Sequence, residues 1–137
     1  MDEDQWVREY GLRPVGAALD EVRSKLTEQI RLERRAQGDG DTLLMKLCCV
    51  QLFNAGGQDD VLLIWQAKTA SFDADCSIDI QLLCGGGLDA TKAYLSSRPL
   101  PEAEAALSRL LHCERSGDFE DFSVERYADY YDDHYAQ

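Results

Sequence analysis

Asp73, Asp75, Ser77 and Asp79 stand at alternate positions in the stretch FDADCSIDIQLLCGGGLD, residues 72–89. Oxygen-bearing side chains at positions 1, 3, 5 and 7 are how an EF-hand calcium loop begins. The loop also needs Gly at position 6 for its sharp turn and a bidentate Glu at position 12. This chain has Ile78 and Cys84 there. We therefore expect no specific metal site. The structural reading is that Asp73 or Asp75 ends one helix. Ser77 then caps the next, and Asp79 falls in its first turn, where the helix dipole favours a carboxylate.

Two other chemistries are suggested and fail on spacing. GGGLDATK, residues 85–92, sets glycines before a helix with a Lys inside it. The phosphate-loop spacing G-x-x-x-x-G-K-[ST] is absent, and Asp89 would compete with phosphate for the helix N-terminus. The five cysteines are Cys48, Cys49, Cys76, Cys84 and Cys113, and the histidines are His112 and His134. Adjacent His112 and Cys113 diverge on a helix and cannot act as a dyad. The odd cysteine number and the adjacent Cys48–Cys49 pair fit reduced thiols rather than a disulfide framework. No catalytic residue and no cofactor is expected.

The tail GDFEDFSVERYADYYDDHYAQ, residues 117–137, sets seven carboxylates against Arg126 and carries six Phe or Tyr rings. Tyr127, Tyr131 and Tyr135 recur on one helical face and suit docking on a core. Asp118, Glu120, Asp121, Asp129, Tyr130, Asp132 and Asp133 lie off that stripe. These seven are the expected partner-binding residues, because tyrosine supplies rigid contact area and carboxylates steer a basic partner. The alternative from another class is a ligand-binding domain or enzyme with a pocket around Trp65, Lys68, Asp73, Asp79 and Gln81.

These side chains have to be positioned by helices. Residues 2–10 read as a short helix closed by Gly11. Residues 14–37 carry the clearest 3.6-residue stripe, Val15, Ala18, Leu19, Val22, Leu26 and Ile30, with Glu21–Lys25 spaced for an i, i+4 pair. DTLLMKLCCVQLFN (41–54) and VLLIWQAK (61–68) are apolar nearly all round, so periodicity does not separate helix from strand. Their Leu, Met, Ala, Cys, Lys and Gln content, and Asp41 or Thr42 and Asp59 or Asp60 at N-cap positions, favour helices. A further short helix is read at 77–83, then Gly85-Gly86-Gly87 as a flexible joint. Helices capped by Asp89, running over 101–115 and capped by Ser123 (124–135) complete the chain. The expected fold is all-α, a compact antiparallel helical bundle or a short helical-hairpin stack, in one domain spanning 1–137. The alternative is α+β, with a three-stranded antiparallel sheet from residues 42–84.

The 137-residue chain has a net charge of −12. Phosphate backbones and anionic lipid repel such a surface, so neither nucleic acid nor membrane is an expected partner. The N-terminus reads MDEDQWVREYG, with no signal-peptide core, and the longest apolar run is Val61–Trp65. A cytoplasmic location follows as the expectation. The oligomeric state is not readable.

The block LLIWQAKTASFDADCSIDIQLLCGGGLDATKAYL (62–95), with GDFEDFSVERY (117–127), resembles small acidic bacterial proteins of unknown function. That resemblance implies no activity and no site residues. The general character is similar to immunity proteins of bacterial toxin systems, a likeness of type and not of motif. The expected function is a non-enzymatic protein-binding factor, immunity- or antitoxin-like, that neutralises a basic partner such as a toxin through its acidic, tyrosine-bearing surface.

Overall fold

The computed structural model describes residues 1–136 and contains eight α-helices. They are α1 (Glu3–Tyr10), α2 (Ala17–Arg35), α3 (Thr42–Ala55), α4 (Val61–Lys68), α5 (Phe72–Ser77), α6 (Leu88–Ser96), α7 (Pro101–Arg115) and α8 (Val124–His134). Short 3-10 turns, Gln58–Asp60 and Ile80–Cys84, precede α4 and α6. No strand occurs among the described residues, so the segment 42–84 forms helices and not the alternative three-stranded sheet.

The apolar character of α3 is explained by its place. It is enclosed by α1, α2, α4 and α5, and its nine residues from Leu44 to Phe53 other than Lys46 are buried. Truncating one such leucine to alanine costs about 2–5 kcal/mol. Asp41 caps α3 by accepting from the Leu43 and Leu44 amides. Gln51, fully buried, accepts from Trp6 Nε1 and donates to the Gly11 carbonyl, which ties α1 to the core. Asp60 accepts a forked pair from Arg23 at 2.8 and 3.0 Å and pins the first 3-10 turn to α2.

Four local expectations are corrected. First, α2 starts at Ala17, because Gly16 has φ +59°, and Val15 stands outside the helix and exposed. Lys25 pairs with Glu28 at 3.7 Å and lies over the Trp6 ring, instead of pairing with Glu21. Second, Ser77 ends a helix. The cap of α5 is Ser71, whose hydroxyl accepts from Ala74 N, and Asp73 and Asp75 sit in the first turn of that helix. Third, α6 begins after Gly87, with Asp89 inside its first turn instead of capping it. Fourth, Gly85 is a close-packing residue and not part of a flexible joint: a Cβ there would overlap the Phe53 carbonyl at the end of α3.

Glu33, only 1% exposed, holds the region before α5 together. Its carboxylate accepts from the Gly38 and Gly40 amides and from the Ser71 hydroxyl. One side chain of α2 thereby fixes the α2–α3 loop and the start of α5.

A candidate acidic and aromatic groove

The last helix is positioned by Asp79. Asp79 Oδ2 accepts from Tyr127 Oη at 2.6 Å and from Tyr131 Oη at 2.7 Å. Tyr131 is fully buried, and Tyr127 packs edge-on against Phe53 at 5.7 Å. Lys46 of α3 lies over the Tyr131 ring, and Arg13 forks onto Asp132 at 2.9 and 3.1 Å. The tyrosine stripe docks on the core as its spacing implied. Burial, with Asp79 alongside, raises the pKa values of Tyr127 and Tyr131 far above the ordinary phenol value.

Docking α8 in this way leaves a cavity of about 440 Å³ between α8, the loop before it and the second 3-10 turn. Asp79, Gln81, Asp118, Glu120, Asp121 and Tyr130 line it, with Phe122, Ser123, Arg126 and Tyr127. Among the described residues, none of its four carboxylates (Asp79, Asp118, Glu120, Asp121) forms an ion pair. Gln81 Nε2 donates to the Asp118 carbonyl at 2.8 Å and bridges the two walls. Asp121 is the one described non-glycine residue with positive φ, at +60°. Ser123 caps α8 on the Arg126 amide, and Phe119 stacks edge-on with Phe122 at 5.3 Å, so the loop is held from both sides.

A second cavity of about 300 Å³ adjoins it through Asp79, Gln81 and Asp118, and includes Lys68, Asp75, Arg109 and Cys113. Its polar groups are occupied by one another. Lys68, 5% exposed, donates to the Asp75 and Ile78 carbonyls and pairs with the Asp75 carboxylate at 2.9 Å. Arg109 forks onto the same carboxylate at 3.1 and 3.2 Å and lies over the Trp65 ring. Burial raises the Asp75 pKa, but the bonds from Arg109 and Lys68 outweigh it and leave the group below the usual carboxylate range. The Cys113 thiol is pushed up by burial and by Asp118, which disfavours the nucleophilic thiolate.

The two residue sets expected from the sequence are therefore partly merged and partly dispersed. Asp118, Glu120, Asp121 and Tyr130 from the tail meet Asp79 and Gln81 from the alternative pocket in one groove. Asp132 is committed to Arg13, and Asp129 and Asp133 are exposed and do not line the groove. Of the pocket set, Lys68 lies in the adjoining cavity. Trp65 lines a shallow depression with His112 and Arg115, and Asp73 is exposed, its amide donating to Gln37. Asp75 pairs with Lys68 and Arg109, Asp79 accepts from Tyr127 and Tyr131, and Asp73 is exposed; among the described residues no group of three or more His, Cys, Asp or Glu side chains converges as a metal site. No helix among them is long and apolar enough to cross a membrane.

Phe122, Ser123, Arg126 and Tyr127 were not expected in the groove. The capping position of Ser123 was legible and placed the loop beside the start of α8, but the pairing of Tyr127 with a carboxylate 48 residues away was not. Comparison with protein-family models, curated proteins and solved structures gave no match, so the groove is interpreted from its own residues.

Proposed function

We propose that this chain is a non-enzymatic interaction protein that binds a basic protein partner through the groove beside α8. The observation that carries the reading is a cavity lined by four carboxylates, none of them in an ion pair among the described residues, and by the Phe122, Tyr127 and Tyr130 rings. Charges of one sign focused in a concavity raise the encounter rate of an oppositely charged partner, and exposed tyrosines give it contact area. Tyr130 is 56% exposed although it is a large ring. The reading is also supported by the state of the reactive groups. Lys68 is held by two carbonyls and a carboxylate, and the Cys48 and Cys84 thiols are buried and pushed up to about 12. An immunity- or antitoxin-like role in a bacterial cytoplasm, with a toxin as the basic partner, is the biological form we assign to it by likeness of type.

The test uses the protein as bait beside a variant carrying Asp118→Asn, Glu120→Gln and Asp121→Asn. A partner retained by the native bait, lost by the variant and released between about 50 and 500 mM salt supports the reading. Equal capture by both baits, or retention indifferent to salt, contradicts it.

A further inference from the structure

We infer that the groove takes an arginine side chain of its partner in preference to lysine. The inference rests on the function proposed above and narrows it to one side-chain chemistry. Charge alone does not discriminate, since any cation answers the excess of Asp79, Asp118, Glu120 and Asp121 over Arg126. The walls do discriminate. Tyr127 and Tyr130 stack at 6.0 Å with planes 29° apart, and Phe122 lies 5.8 Å from Tyr127. A planar guanidinium is weakly hydrated, lies flat on aromatic faces and forks onto carboxylates. An ammonium keeps its water and meets a carboxylate as a point charge.

The molecule already holds a guanidinium in this way. Arg109 lies 5.5 Å from the Trp65 centroid while both its terminal nitrogens reach Asp75. Ring faces beside carboxylates are the combination that the groove also presents, with Arg126 as the cation among its described lining residues. Arg126 stands on the groove's rim and is loosely held, its Nη1 reaching only the Asp121 carbonyl at 3.4 Å. The rim itself is set before binding by the Ser123 cap and the Phe119–Phe122 contact, which lowers the ordering cost of association.

The probes are two capped pentapeptides, one arginine or one lysine flanked by glycines, titrated into isotope-labelled protein with backbone amide shifts as the readout. The arginine peptide should bind at least about five-fold more tightly, with shifts concentrated at Gln81, Phe122, Tyr127 and Tyr130. Tyr130→Ala should abolish the preference. Arg126→Ala should tighten the arginine peptide by a few-fold, since it removes a repelling cation. Equal affinity of the two peptides at the groove overturns the arginine preference and leaves the basic-partner reading standing. Shifts spread over Asp129 and Asp133, with Asp118→Asn and Glu120→Gln silent, overturn both.

Discussion

Replacing Asp79 by alanine removes the acceptor of two short hydrogen bonds from α8. Hydrogen bonds to a charged group contribute about 1.5–3 kcal/mol each. The two tyrosines do not lose equally. Tyr131 is fully buried, so its hydroxyl is orphaned and the loss approaches the upper end. Tyr127 lines the groove and regains water, so its loss lies at the lower end or below. The total comes to about 3–4 kcal/mol, or roughly 10 °C in Tm for a chain of this size. Asp79→Asn keeps one acceptor oxygen and should cost about half as much. Urea unfolding followed by circular dichroism gives the free energies, and the cycle with Tyr131→Phe should show a coupling of about 1–2 kcal/mol. A cost below about 1 kcal/mol for Asp79→Ala, or an additive double variant, would refute the claim that this carboxylate holds the last helix.

Three further outcomes follow from the same structure. Gly85→Ala should destabilise by about 3 kcal/mol or more, because the new Cβ meets the Phe53 backbone, which has no room to retreat; a loss under about 1 kcal/mol in the same urea assay would contradict this. Tyr127, Tyr131 and Tyr135 have pKa values raised by burial, so their contribution to stability is fully present below the ordinary phenol value of 10.0 and is lost as pH rises past it. Tyrosinate absorbance should therefore develop in two stages, the second coinciding with loss of helix. Of the five cysteines only Cys76 is exposed, so a thiol reagent on native protein should find one fast site, a slower Cys113, and Cys48, Cys49 and Cys84 only after unfolding.

The long helices were legible because each has a local signature. Asp41 before an apolar run, Pro101 opening α7 and Ser123 before α8 all act over one turn of backbone, and all three are in place. The region 71–90 was misread in detail because its local signals compete. Ser71, Ser77, Asp73 and Asp89 are all competent caps; Ser71 caps α5 and is bonded to Glu33 of α2, a contact 38 residues away in the chain, and α6 starts from Gly87. The close approach of Gly85 to Phe53 and the Asp79–Tyr131 bond span 32 and 52 residues, and no short-range pattern encodes such pairs. Half of the groove was visible as an acidic, aromatic tail. Its other wall was visible only as a suspected calcium loop, whose Asp75 and Asp79 carboxylates turn to different neighbours while Asp73 is exposed.

The most direct measurement is the affinity of the native protein and of the Asp118→Asn, Glu120→Gln, Asp121→Asn variant for the captured basic partner, as a function of salt. A charged groove that steers and holds the partner predicts that neutralisation weakens binding by about ten-fold or more at low salt and flattens the salt dependence. Identical affinities with identical salt slopes would contradict the account.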